Sequence, residues 1–370
     1  MQVNRYPAVI IDHRKYRENA RTVYRWCHEK GLLVAGIIKG TSGITGIAAD
    51  LVWAGADMIG SSRLDQIRHA QAEGVQSTWL LIRIPMLSEV PDVVATADIS
   101  LNSELAVLAA LNREALRQSR VHRVILMADL GDLREGWIDQ EELIQAAVQV
   151  ETAMDGLRLE GIGTNLGCYG SVMPTKDKLE SLAALAERVE EAIGRPLDIV
   201  SGGATSSLMA VFDGYLPARI NMLRIGAAPM TGPLEDLRTS YGRREMDALH
   251  DDAFVLEAEI IELKTKPSYP IGELGVDATG HSPTFIDRGM RRRAIVAVGR
   301  ADYGDPYDII PELAGAEVIG ASGDHTLIDV TDVEAPLHIG DVLRFRLRYS
   351  AILNLTANED IAVREISALD

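Results

Sequence analysis

Eight short apolar runs, each followed by a segment of helical period, constrain this chain more than any other feature. The first is Leu32-Leu33-Val34-Ala35-Gly36-Ile37-Ile38, which ends on Lys39 and breaks at once into Gly40-Thr41-Ser42-Gly43. Further runs lie near 58–59, 79–82, 98–101, 124–128, 157–162, 197–200 and 221–225, with amphipathic segments such as 104–117, 140–152 and 176–193 between them. Runs this short and β-branched read as strands buried on both faces, as in a parallel sheet. Strands that alternate with helices must pair in parallel through right-handed crossovers. Eight such units within about 190 residues predict a closed (β/α)8 TIM barrel, tighter than the usual ~250 residues. An open doubly wound sheet is the alternative that periodicity does not separate.

Beyond residue 250 the texture changes. Runs at 254–263, 293–298, 317–319, 326–330 and 342–349 read as strands with few helical patterns between them, and glycine turns mark the joints. They predict a mostly antiparallel β-domain, reached through a linker at 229–250. At the other end, residues 7–11 form a short strand, and Asp12 can cap a helix over 14–30 that Gly31 closes. The expected organisation is an N-terminal strand, 1–11, pairing with the β-domain; a barrel over 12–235; and the β-domain over 236–370.

Composition excludes several classes. Lys+Arg 37 against Asp+Glu 54 leaves a net charge of −17, spread along the chain, which argues against nucleic acid and anionic membranes as partners. Two cysteines, Cys27 and Cys168, make neither a disulfide scaffold nor a cysteine-rich metal site, so no metal is expected. No signal-peptide pattern opens the chain and no apolar run reaches the roughly 18–20 residues of a membrane span, so a cytoplasmic protein is expected.

In parallel α/β folds, ligands and chemistry gather where strands leave the sheet. Lys39 stands at such an end. Desolvation there would lower its pKa and free a nucleophilic amine suited to a Schiff base, although a lysine can equally end a strand by reaching solvent or a carboxylate. After the seventh strand comes Ser201-Gly202-Gly203-Ala204-Thr205-Ser206-Ser207, and after the eighth Arg224-Ile225-Gly226-Ala227-Ala228. Loops at these two places often hold phosphate: Gly-Gly lets the backbone approach, hydroxyls donate, and the next helix adds its dipole. A phosphate cradle facing a strand-end lysine, with no P-loop signature, points to pyridoxal 5′-phosphate. Arg224 would face the pyridine nitrogen and, unable to give up its proton, leave that nitrogen unprotonated. The fifth strand runs into Asp129-Leu130-Gly131-Asp132-Leu133-Arg134, whose arginine could fork onto a substrate carboxylate.

These residues resemble the fold-type III pyridoxal-phosphate enzymes, the alanine racemase group, and most of all their ornithine racemase branch; the resemblance covers nearly the whole chain. The family's Val-Val-Lys-Ala-type motif is matched by Ile37-Ile38-Lys39-Gly40, its Asp-x-Gly-x-x-Arg segment by Asp129 to Arg134, its phosphate-binding serine loop by Ala204-Thr205-Ser206, and its Arg-x-Gly segment by Arg224-Ile225-Gly226. The resemblance implies backbone N–H groups of Gly226 and Ala227 on the phosphate, joined by Tyr349. Where alanine racemases set a histidine against the cofactor ring this chain has Asn165. Thr41-Ser42-Gly43 replaces a Tyr-Gly-His segment, and Gly299-Arg300-Ala301-Asp302 replaces Gly-Tyr-Ala-Asp. The Gly-Thr-Asn-Leu-Gly-Cys-Tyr-Gly stretch and Pro-Ile-Gly-Glu-Leu-Gly-Val-Asp-Ala are instead similar to the ornithine racemase branch.

The implied activity is racemisation of an amino acid, ornithine first and lysine, alanine or serine behind it, by one base on each face of the cofactor. Lys39 serves one face. In the family the other base is a tyrosine of the partner subunit's β-domain, a role that falls to Tyr269 in a homodimer, with Cys168 as its rival. Glu273, Asp277, Asp302 and Asp305 are the candidates for a distal ammonium. Two other functions share the fold. A basic amino-acid decarboxylase would carry a cysteine in a C-terminal Cys-Asp-Gly segment, and none follows Cys168; a non-catalytic pyridoxal-phosphate carrier is usually a lone barrel.

Overall fold

The structure is a computed structural model and describes residues 5–276, 280, 282 and 284–367. Its strands are β1 (Ala8–Asp12), β2 (Leu33–Ile37), β3 (Met58–Ser61), β4 (Trp79–Leu81), β5 (Ile99–Asn102), β6 (His122–Ala128), β7 (Leu157–Thr164), β8 (Ile199–Ser201) and β9 (Met222–Ile225). There follow β10 (Phe254–Pro267), β11 (Met290–Val296), β12 (Ile309–Pro311), β13 (Glu317–Ala321), β14 (Thr326–Asp329), β15 (Val342–Leu347) and β16 (Ala362–Ile366). Strands β2 to β9 pair in parallel in sequence order, and β9 returns to β2, so the sheet closes into the expected eight-stranded barrel. The open-sheet alternative is thereby removed.

Inside the barrel, Ala35, Ile37, Met58, Leu80, Ile99, Leu101, Ile125, Met127, Ile199 and Met222 form one apolar cluster. Where one strand supplies two of them, as Ala35 and Ile37, Ile99 and Leu101, or Ile125 and Met127, they are two apart, as alternate side chains on one face must be. The surrounding helices turn an apolar stripe inward. Lys176–Ile193, for example, buries Leu179, Leu182, Ala183, Leu185, Ala186 and Val189 and ends on Gly194 in the left-handed region.

The second unit is a mostly antiparallel sheet of order β12-β15-β10-β11-β14-β13. Its long strand β10 pairs with β15 along its first half and with β11 along its second, across an irregularity at Ile260/Glu262. β1 joins this sheet, antiparallel to β10 and parallel to β16. The chain divides into two compact units. Residues up to Tyr16, 230–235 and from His250 onward group together, while 236–249 return to the barrel unit. The hydrogen bonds of β1 to β10 and β16 tie the N-terminal segment to the first of these groups. The expected linker is short helical turns, Ala227–Thr231, Asp236–Thr239 and Arg244–Ala248 among them. The strand expected over 342–349 stops at Leu347, and Tyr349 opens the helix Tyr349–Ala357, which buries Ala351, Ile352 and Leu355.

Candidate active site

The alternation that fills the barrel also builds its mouth. Ile37 on β2, Met127 on β6, Ile199 on β8 and Met222 on β9 point into the lumen, so the next positions of the same parity are 39, 129, 201 and 224. Asp129, Ser201 and Arg224 are buried, and Lys39, opening the single turn Lys39–Thr41, is partly so. Gly163 on β7 leaves them room, since a Cβ there would lie 3.0 Å from the Cβ of Ser201 and 3.5 Å from Met127 Sδ. β2 and β9 are neighbours, with Ala35 opposite Arg224, so the lysine and the arginine leave adjacent strands.

Burial pulls the Lys39 amine below the ordinary lysine range; Arg134 and Arg224 push the same way, while Cys168 and Glu135 oppose them. These four side chains are therefore its electrostatic surroundings. The Arg224 guanidinium donates from Nη2 to the Thr164 carbonyl at 2.8 Å and from Nη1 to Ser201 Oγ, both neutral partners. Desolvation brings it down to about 10, which still leaves it charged at neutral pH.

Two loops complete the rim. The loop after β6 is closed by a reciprocal pair of backbone bonds, Asp129 N to the Trp137 carbonyl and Trp137 N to the Met127 carbonyl, each 2.9 Å. Gly136 must be glycine, because a Cβ would lie 2.5 Å from Asp129 N. Within the loop, Asp129 Oδ1 accepts from Gly131 N at 2.8 Å and Leu133 N at 3.1 Å, an Asx-type turn. Asp132 Oδ1 then reaches the loop after β7, accepting from Cys168 N at 3.3 Å and Val172 N at 3.1 Å. Across this seam Arg134 donates from Nη1 to Cys168 Sγ at 2.9 Å and pairs with Glu135 through Nε and Nη2. With its amide oriented to satisfy both partners, the Asn165 oxygen accepts from Arg134 Nη1 and Nη2 at 3.3 Å each.

The loops after β8 and β9 supply backbone donors. Thr205–Ser207 forms one turn that runs into the helix Leu208–Asp213, and Ala227 opens the helix Ala227–Thr231. Gly203 sits at φ +114, where a Cβ would also lie 2.6 Å from Ser207 Oγ. Of the three hydroxyls expected on a phosphate, Ser206 donates to the Leu166 carbonyl at 2.9 Å and Ser207 to the Gly202 carbonyl at 2.7 Å, which leaves Thr205. Gly226 lies against Ile37, its would-be Cβ 3.1 Å from Ile37 Cβ, so the Gly226-Ala227 backbone stands beside the strand that delivers Lys39. A desolvated amine, a buried cation bonded only to neutral groups and helix starts at two adjacent strand ends fit the parts of pyridoxal 5′-phosphate: carbonyl, ring nitrogen and phosphate.

The barrel unit thus brings together Lys39, Arg134, Asn165, Cys168, Ser201 and Arg224, with Thr205, Ser206, Gly226 and Ala227 on neighbouring strand-end loops. Tyr269 and Tyr349 belong to the other unit. Tyr269 follows β10, is 42% exposed and meets Phe285 edge-on at 6.3 Å between ring centroids. Asp302 and Asp305 serve locally: Asp302 accepts from Gly299 N and Asn358 Nδ2, and Asp305 from Tyr307 N, each at 2.9 Å. Glu273 is exposed and Asp277 lies outside the described residues. Sequence reasoning missed Glu135, because an Arg-Glu pair in a loop reads as solvated charge; its burial is a tertiary property. Among the described residues no group of three His, Cys, Asp or Glu is placed to hold a metal, and no helix is long and apolar enough to cross a membrane.

Fold and site together define a barrel enzyme with a lysine at its mouth and an antiparallel β-unit in the same chain. The family described as "Alanine racemase, N-terminal domain" matches residues 11–232. The ornithine racemase of Acetoanaerobium sticklandii is 39% identical over 356 residues, 96% of this chain and 98% of that protein. The lysine racemase of Thermotoga maritima is 38% identical over 349 residues, 94% and 95% of the two chains. Among solved structures, the alanine racemase from D-cycloserine-producing Streptomyces lavendulae superposes with a TM-score of 0.75 at 17% identity, covering 99% of this chain and 98% of that one. The chain belongs to the alanine racemase N-terminal-domain family.

Proposed function

We propose that this protein is a pyridoxal-5′-phosphate-dependent amino-acid racemase that interconverts the L- and D-forms of ornithine, works as a cytoplasmic homodimer, and uses Lys39 and Tyr269 of the partner subunit as its two bases. The observation that carries the reading is Lys39: an amine whose proton affinity is lowered by burial, at the barrel mouth beside Arg224. The full-length similarity to an ornithine racemase supports the choice of substrate, with lysine next on the same ground and alanine or serine behind them.

When bound, the cofactor supplies a carbonyl carbon for amines and a conjugated ring that acidifies the substrate's α-carbon. The chain's own residues supply the rest. Lys39 takes and returns the α-proton on one face at Nζ, and burial, by lowering its proton affinity, favours the neutral form that this task needs. Arg224 holds the ring nitrogen as a hydrogen-bond acceptor and keeps its own proton, which restrains charge delocalisation and favours simple proton return. Thr205 and the backbone N–H groups of Gly226 and Ala227 hold the phosphate, with Tyr349 as a further donor. Arg134 receives the substrate carboxylate. Tyr269 of the partner subunit moves the proton on the opposite face, and Cys168 is the alternative carrier.

Incubation with L-ornithine, followed by chiral analysis and a diamine assay, tests this directly. D-Ornithine without putrescine is the expected product. Putrescine without D-ornithine would make the protein a decarboxylase, and bound cofactor with no turnover of any amino acid would make it a carrier. Borohydride reduction and peptide mapping should place the cofactor on Lys39.

A further inference from the structure

Glu135 follows Arg134 directly, and neighbours in an extended chain face opposite ways. Here they pair with each other, in a loop where Leu133 before them adopts a left-handed φ of +56 and Gly136 after them a φ of +131. A leucine whose side chain is 61% exposed gains no burial from that conformation, so the strain is held by the surrounding loop. The Glu135 carboxylate takes the Nε and Nη2 side of the Arg134 fork. It is also the deeper partner, its side chain 14% exposed against 35% for Arg134. On the opposite side, Cys168 Sγ takes Nη1 and the Asn165 oxygen takes both Nη1 and Nη2. A guanidinium has five N–H donors fixed in one plane. Glu135 accepts two of them on the Nε and Nη2 side, while Cys168 and Asn165 share the three of the Nη1 and Nη2 edge, so the carboxylate sets which way that second edge points.

We infer that Glu135 is a positioning residue of this site: by gripping one edge of Arg134 it fixes the guanidinium so that the other edge is delivered to Cys168 and Asn165, the edge at which a substrate carboxylate would take their place. Only the last clause rests on the racemase reading; the grip and its effect on Cys168 do not. A loose carboxylate near three cations would have a different consequence, since it would only dilute their charge.

The reactivity of Cys168 separates the two roles, because Arg134 Nη1 donates to its sulfur and moving that guanidinium changes how the sulfur reacts. Cys27 is fully buried and does not compete. Iodoacetamide alkylation of the purified full-length protein at fixed pH, located by peptide mass, is measured for the parent, Glu135→Gln, Glu135→Asp, Arg134→Ala and Glu135→Gln with Arg134→Ala. Glu135→Gln should slow alkylation by about three- to ten-fold, to the rate of Arg134→Ala, and should change nothing further in the Arg134→Ala background. Glu135→Asp keeps the charge but not the reach, so it should sort with Gln, and it stands in if the Gln variant does not fold. A faster reaction in Glu135→Gln, an unchanged one, or an equal slowing without Arg134 overturns the proposal. With ornithine, Glu135→Gln should raise KM more than it lowers kcat. If the parent turns over no amino acid the racemase reading fails, while the alkylation rates still decide the role of Glu135.

Discussion

Lys39 destabilises the fold it serves. Its amine is pulled below the ordinary lysine value chiefly by burial, reinforced by Arg134 and Arg224, so in the cofactor-free protein the unfolded chain binds its proton more readily than the folded one. The cost is therefore full below the lowered folded pKa and vanishes as pH rises past the unfolded value of about 10.4. Lys39→Met should raise the urea midpoint of the cofactor-free protein most at low pH, by an amount that shrinks toward pH 10, while abolishing turnover by roughly 10³-fold or more. A midpoint difference that does not change with pH would show the amine to be solvated. Ser201 and Arg224 are legible in the sequence because each lies in the last residues of its strand, where parity decides the direction of the side chain, and Lys39 because it directly follows an apolar run. Glu135 is not legible, because nothing in a residue's own type says how deeply a loop will fold.

At the scale of elements, the loop from Asp129 to Trp137 is the part of the site with the most local specification. Asp129 Oδ1 satisfies two backbone N–H groups inside it, Gly136 lets it close against its own start, and Lys178 Nζ of the helix Lys176–Ile193 donates to the Leu130 carbonyl at 2.6 Å. Asp129→Ala leaves those two N–H groups without their acceptor and should cost roughly 1–3 kcal/mol, read by urea unfolding. Asp129→Asn, which keeps an acceptor, should recover most of it. Because the loop carries Arg134, the Ala variant should also lose activity; full activity in a destabilised variant would show that the loop does not position the arginine. The barrel strands were readable because strands buried on both faces are nearly continuous apolar runs. β12, of three residues, and β16, Ala-Val-Arg-Glu-Ile, carry no such run. β16 is a strand because β1, some 350 residues away, pairs with it in register from Ala8–Ala362 to Asp12–Ile366. The helix Tyr349–Ala357 was hidden by its β-rich preceding strand, although its buried positions 351, 352 and 355 follow a helical spacing.

For the whole molecule, the proposed partition of bases between two subunits makes a quantitative statement. Lys39→Ala and Tyr269→Phe homodimers should both be inactive. Co-expression of the two should restore about a quarter of the parental activity, because half of randomly assembled dimers are mixed and each mixed dimer has one intact site. No restoration would sink the shared site, and a fully active Tyr269→Phe homodimer would move the second role to Cys168. The sequence by itself determined the order of strands and helices in the barrel, the parity of its strands and so the residues that crown it, since these follow from periodicities of two and 3.6 along the chain. Only the tertiary structure decided that the sheet closes, that β16 exists and pairs with β1, and that Glu135, Arg134, Cys168 and Asn165 meet. Those contacts join segments far apart or bury charges that local sequence leaves exposed, and their free energy exists only once the loops are folded against one another.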